Sequence, residues 1–386
     1  MPPELLATLT ALLRQCPAVT GRKDTRMALA SATPETELDW RALVTLASAQ
    51  GVGPLLAEEL LSRHSGRLPS CIVTQLRAMQ SAATARALMQ LGELLRVQNH
   101  LQAAGVPMLS FKGQLLAQQA YGAVNLRSCF DLDLFVHGAD VLRVKQLLGE
   151  LGYQPEFAFL PHQEADLLRM ECEYTFIRRD EAMRIDLQWR PRARHFVFPV
   201  PPEELWARSE SIQLQGFEVG TFGLDDLLVI LISHGAKHTW NRLELVCSLG
   251  ALLHRNPDFD WDRLEATMRR VGASRMMLLA AHLAVEHLAA PVPPALAARA
   301  KADPVLVALA GECAMRWTVP PTPQPLLSTL RRHLQMRERL RDRVRHCFWL
   351  MVTPTPQDWL ARPLPRHLHW AHYLLRPLRL LGKHGI

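Results

Sequence analysis

The hydrophobic pattern changes period along the chain. Through residue 104, apolar positions recur at spacings of three and four, as in "LDWRALVTLASAQGVGPLLAEELLSRH" and "TARALMQLGELLRVQNHLQAAG", which predicts helices that stop at Gly105. "VPMLSF" is then short and apolar, as a first strand would be, and "GQLLAQQAYG" fits a helix between two glycines. "FDLDLFV" alternates with period two and predicts a strand. "ADVLRVKQLLGELGY" is an amphipathic helix, and "ECEYTFIRR" and "AMRIDLQWR" are two extended runs joined by the polar connection "RDE", of hairpin length. Helical periodicity resumes in "DDLLVILISHGAKHTWNRLELVCSLGALLHR", with Asp225 as its candidate cap. The proline clusters "APVPPAL" and "VPPTPQPLL" mark joints between later helices, and no internal repeat is evident.

This order predicts an α+β protein: a small mixed β-sheet core with helices packed on it, embedded in N- and C-terminal helical regions. The segments expected are a helical region over 1–104, the α/β core over 105–222, a helical domain over 223–320 and a basic helical region over 321–386.

Composition excludes fibrous, mucin-like and disordered classes, since 48% of residues are hydrophobic and 21% charged. The distribution of charge adds more. Residues 325–386 carry 12 Lys and Arg against 3 Asp and Glu, a net of +9, which exceeds the +7 of the whole chain. That end is either a contact surface for an anionic partner, such as phosphate or nucleic acid, or a solvated helical face. The seven cysteines are scattered, with no C-x-x-C pair, and most are expected to be small buried apolar groups in a reducing compartment. No apolar run is long enough to span a membrane, because "MMLLAAHLAVEHLAA" is broken by His282, Glu286 and His287. Glu4 stands where a signal peptide carries basic charge, so a cytoplasmic location is expected.

The candidate chemistry lies in the strands. On a strand, Asp131 and Asp133 point to one face while Leu132, Leu134 and Val136 point to the other. Two carboxylates so close repel unless a cation lies between them, and oxygen-only ligands suit Mg²⁺ or Mn²⁺. In "MRIDLQWR", Arg184, Asp186, Gln188 and Arg190 form a second polar face. If the two strands are neighbours, three aspartates converge, as in-line nucleotidyl transfer through metal ions requires.

With these residues in view, the chain resembles the polymerase-β-like nucleotidyltransferase superfamily, and within it a bacterial branch of uncharacterised nucleotidyltransferases. The resemblance rests on "FKGQLL", Tyr121, Arg127 and "DLDLFV", then "IDLQWR", then the run from His234 to Leu243, then "TPTPQDWL" and "LLRPLRLL", so that it extends from residue 40 to the end. It implies a nucleotidyltransferase core, an NTP as donor and metal ligands at Asp131, Asp133 and Asp186. Lys112 and Gly113 stand where the superfamily places Gly-Ser, and with Arg127 they are the candidates to hold the triphosphate. Gln188 replaces a usual histidine, and Ser248 stands where the branch often has aspartate.

His234 and His238 share a helix face with Lys237 alongside. They lack the glutamate of a zinc-protease pattern and are expected to contact nucleotide or acceptor, unless the helix is purely structural. Arg127 either pairs with a carboxylate or reaches the triphosphate. Tyr121 either stacks on a base or, the preferred reading, packs between helix and sheet, and Asp225 and Asp226 are read as cap residues. The expected activity is Mg-dependent transfer of a nucleotide from an NTP to an unidentified small molecule, peptide or RNA. The alternatives are a catalytically lapsed scaffold and a toxin-like transferase acting on RNA or protein.

Overall fold

A computed structural model describes residues 3–21, 38–178, 183–196, 198–322, 324–361 and 364–384. Five strands form one mixed sheet in the order β1-β2-β5-β4-β3: β1 Leu109–Ser110, β2 Leu132–Phe135, β3 Gln154–Pro155, β4 Glu173–Arg178 and β5 Met183–Gln188. Only β2 and β5 run parallel; the other neighbours are antiparallel. A separate hairpin pairs β6 Ser209–Leu214 with β7 Phe217–Phe222. Its two-residue turn, Gln215 and Gly216, has positive φ at both positions, which suits the right-handed twist of a tight hairpin. The other elements among the described residues are helices, so the chain is an α+β protein, as the pattern predicts.

The sheet is two-faced, as the alternation requires. Leu132, Leu134, Tyr174, Phe176, Ile185 and Leu187 form a buried core with Leu94, Val97 and Leu101 of the long helix Ser70–Ala103, while the other face carries the aspartates. A second core joins the N-terminal helices Pro3–Gln15 and Gly53–Arg63 to Leu243–Arg255 and Ser274–Leu288, so segments 1–104 and 223–320 meet in one apolar interior.

Several elements depart from expectation. β2 starts at Leu132, so Asp131 lies in the bend before the strand and not within it. β3, the helix Pro161–Met170 and the β6–β7 hairpin are additional elements. The "RDE" connection lies outside the described residues, although the antiparallel pairing of β4 with β5 is present. The run predicted as continuous helix from Asp225 breaks after Lys237, where Thr239 and Trp240 take left-handed φ. The Trp240 amide returns to Gly235 O at 2.8 Å, and the indole lies so close over Gly235 that a Cβ there would meet it at 2.5 Å. The cap of Leu224–Lys237 is Gly223; Asp226 instead accepts two bonds from Arg208, and Asp225 pairs with Arg263.

The basic C-terminal region turns much of its charge inward. Leu340–Val352 buries Asp342 and His346 but exposes Leu340, Val344 and Phe348. In Ala371–His384, Arg376 and Arg379 bind the buried Asp358, while Leu374 and Leu378 are exposed. Both helices thus leave part of an apolar face uncovered, although Arg341 and Arg345 are also exposed and Leu380 is buried.

Candidate functional site

Parallel pairing places Asp133 of β2 directly beside Asp186 of β5, so their side chains leave the same face of the sheet. Asp131 stands at the entrance to β2, two residues from Asp133. β1 leads through Lys112 into the helix Gly113–Tyr121, and Gly113, with φ +58°, makes the sharp turn that brings this helix start against the Asp131 carbonyl. Lys112 Nζ is 2.7 Å from Asp133 Oδ1, and Gln188 Nε2 donates to the same oxygen at 2.9 Å. All three side chains are nearly fully buried, Asp133 at 5% exposure and Lys112 at 7%. Asp186 Oδ1 accepts from Thr175 Oγ1 at 2.8 Å and Arg184 Nε at 3.3 Å.

Electrostatics mark the three carboxylates as crowded. Burial, then the charges of Asp133 and Asp186, push Asp131 up to about 6, although Lys112 and Arg127 pull it down. Burial, then Asp133 and Glu173, also raise Asp186, against the Thr175 bond and Arg184.

A second charge group adjoins them. Glu173 of β4 is paired with Gln188, on the face that carries Thr175 and Asp186. Lys237 Nζ approaches Glu173 Oε1 at 3.5 Å. Burial acts to raise Glu173, but Lys237, Lys112 and Arg192 together outweigh it and the carboxyl is held below its ordinary range. His234 and His238 lie with ring centroids 4.6 Å apart. Desolvation, then Lys112, holds His234 well below its usual pKa; desolvation, then Lys237 and Arg192, lowers His238 too, an effect that solvent weakens because this residue is exposed. Both rings are therefore neutral near pH 7. The structure thus gathers Lys112, Gly113, Asp131, Asp133, Asp186, His234, Lys237 and His238 around one end of the sheet.

Arg127 lies to one side. Its guanidinium donates to Glu244 Oε1 at 2.9 Å and Cys129 Sγ at 3.0 Å, so its carboxylate partner comes from the helix Leu243–Arg255 and not from the β2 aspartates. It also lines a cavity of about 190 Å³ with Gln90 and Gln114, behind the Gly113 turn. Gln114 Nε2 donates to Gln90 Oε1, which leaves Gln114 Oε1 buried without a bonding partner. Tyr121 is buried between Gly113–Tyr121 and Leu243–Arg255, with its hydroxyl 3.1 Å from Ser248 Oγ, so both residues belong to that packing.

Glu173, Thr175 and Arg192 were missed in the sequence. The first two carried a signal, since "ECEYTFIRR" alternates them on one face opposite Tyr174 and Phe176. Arg192 carried none, because it follows the strand and is placed by a bond to Ile230 O.

The donor set suits a hard divalent cation: carboxylates of three residues on one side of the sheet, two of them raised first by burial and then by the charge of neighbouring carboxylates. As they stand, Asp133 is turned to Lys112 and Gln188, and Asp186 to Thr175 and Arg184. Among the described residues no three His, Cys, Asp or Glu side chains are set to hold a metal ion. No helix among the described residues is long and apolar enough to cross a membrane.

Compared with known families, residues 36–289 match the one described as uncharacterised nucleotidyltransferase. The match ends before the motifs around Asp358 and Arg376. No curated protein and no solved structure matches the chain.

Proposed function

The chain belongs to the uncharacterised nucleotidyltransferase family, and on that premise we propose that it moves a nucleoside monophosphate from an NTP to a hydroxyl of an acceptor. The observation that carries the reading is the side-by-side pairing of Asp133 and Asp186, with Asp131 at the mouth of the same strand. Asp131, Asp133 and Asp186 would hold Mg²⁺ or Mn²⁺, which when bound supplies the charge that gathers the triphosphate and acidifies the acceptor hydroxyl.

The chain's own residues do the rest. Lys112 and the open amides at the Gly113 helix start bind phosphate oxygens, aided by the positive end of the helix. The bonds found on Asp186 all go to Oδ1, which leaves Oδ2 to take the acceptor's proton. As the acceptor oxygen bonds to the α-phosphorus, the bond from that phosphorus to the bridging oxygen breaks and pyrophosphate leaves. Lys237 and the neutral His234 and His238 line the approach and hydrogen-bond the leaving or accepting group. The 190 Å³ cavity has the size for a nucleobase-scale group, below the range for a whole drug-sized ligand.

Calorimetry with Mg²⁺ and each NTP, followed by α-labelled NTP in a cell lysate, tests the reading. It expects metal-dependent NTP binding and a labelled acceptor, both abolished by Asp131→Asn with Asp133→Asn. A second reading, a lapsed scaffold, is favoured by one observation: Lys112 and Gln188 already occupy Asp133 Oδ1. NTP binding that ignores both metal and the aspartate substitutions would select the scaffold.

A further inference from the structure

Beyond β5 the chain builds a second concave site. A cavity of about 470 Å³ is lined by Arg190, Arg192, Arg194 and Arg345, with Trp349 and Phe198 among its apolar walls. Its volume falls within the range of small-molecule sites. Among the described residues none of the four guanidiniums makes an ion pair. Arg190 donates to the carbonyls of Leu168 and Arg169, and Arg192 to those of Pro191 and Ile230, while one carboxylate, the exposed Glu203, lines the cavity. Arg192 is buried, and its Nε has no bonding partner. These like charges around one void, least screened by solvent at the buried Arg192, favour an anion in the site.

The place of the cavity ties it to the carboxylates. β5 ends at Gln188 and the chain bends at Trp189 and Arg190, so the first of these arginines lies four residues beyond Asp186, at most roughly 13 Å away along the chain. Arg192 is anchored to the helix that carries His234 and Lys237, and its charge acts on Glu173. A tetrahedral dianion matches several convergent guanidinium forks better than a single carboxylate does, because it offers more acceptor oxygens and twice the charge.

We propose that this arginine cavity binds a phosphomonoester group of the acceptor, anchoring it while the acceptor's hydroxyl reaches the Asp131–Asp133–Asp186 face. The word acceptor rests on the transferase reading; the phosphate site does not. Free metabolites and lipid headgroups both carry such a group, and the outward apolar faces of Leu340–Val352 and Ala371–His384 leave a lipid source in play.

The test is calorimetry of the full chain with glycerol 3-phosphate, with glycerol, and with vesicles containing phosphatidic acid. Arg194→Glu with Arg345→Glu, both at exposed positions, is the variant, and Mg-NTP binding is the control. Binding of the phosphorylated probe but not glycerol, weakened at least about tenfold by the charge reversals with NTP binding retained, is expected. Binding to vesicles alone, with the same loss, assigns the source to a lipid headgroup. Absence of phosphomonoester binding in both forms, or binding indifferent to the charge reversals, overturns the proposal. Labelled transfer that proceeds equally well into phosphatase-treated lysate overturns the acceptor role. Phosphomonoester binding without any NTP binding leaves the cavity standing and removes the transferase reading.

Discussion

Replacing Asp131 by Asn should stabilise the fold while removing function. The carboxyl stands at about 6 in the folded protein, against an ordinary value near 3.8. Because the folded-state value is raised, the stability linked to this proton is fully present below the unfolded pKa and is lost as pH rises through about 6. At neutral pH the ionised form therefore costs up to about 3 kcal/mol, at about 1.4 kcal/mol per pKa unit. Part of this is shared with Asp133 and Asp186, so about 2 kcal/mol is the expected gain. With an unfolding entropy of about 2.1 cal/mol/K per residue, that shifts the melting temperature by roughly 2–3 °C. No hydrogen bond to the Asp131 carboxylate is found among the described residues, so asparagine gives up no such contact. Thermal scans at pH 7.5 and pH 4.5 check the prediction: the gain at pH 4.5 falls to about a third, since the folded wild-type is then largely protonated. Mg²⁺ should raise the melting temperature of the wild-type and not of the variant. A variant that melts below wild-type at pH 7.5, or a gap equal at the two pH values, refutes the reasoning.

Lys112→Met leaves the buried Asp133 carboxylate with only the Gln188 amide, and loss of one partner from a buried ion pair costs about 3–5 kcal/mol in urea unfolding. Adding Asp133→Asn to that variant should restore most of the loss; no recovery would mean that the pair is not coupled. Gly235→Ala drives a methyl group into the Trp240 indole, and about 1–3 kcal/mol of destabilisation with altered tryptophan fluorescence is expected. An unchanged unfolding midpoint would show that the indole does not close over Gly235 in solution. Asp358→Asn strands Arg376 and Arg379 against a neutral amide, so hydrogen exchange in Ala371–His384 should accelerate at least about tenfold while Ser70–Ala103 stays protected.

What could be read beforehand follows from how local each signal is. The alternation of Asp with Leu predicts a two-faced strand because side-chain direction depends only on neighbouring residues, and "MRIDLQWR" repeats the signal on β5. Parallel pairing that sets Asp133 beside Asp186 is a tertiary fact, and the sequence offers it only as a condition on strand adjacency. The β6–β7 hairpin does carry a local signal, since Ile212, Leu214 and Val219 alternate around Gln215 and Gly216. β3 carries none, since two residues show no period. The helix break after Lys237 reverses apolar periodicity through one contact, Trp240 over Gly235, which no local propensity encodes. The motifs around Asp358 and Arg376, which enter the sequence reading only as part of the family resemblance, form in the structure an internal ion cluster that fastens the last helix.

The same distinction bears on Lys112. Its position before Gly113 gives a phosphate-binding expectation, yet its ammonium lies on Asp133, 21 residues away in sequence, with both groups out of water. For the lysine to serve a triphosphate, it must exchange one anion for another, and Asp133 must gain a cation in the same event or remain charged and buried at a cost of several kcal/mol. On the transferase reading, the Lys112–Asp133 pair would make NTP and divalent cation binding interdependent. Titrating NTP with and without Mg²⁺ reads that coupling directly: affinities equal within about twofold would leave the lysine on Asp133 and take it out of the phosphate site.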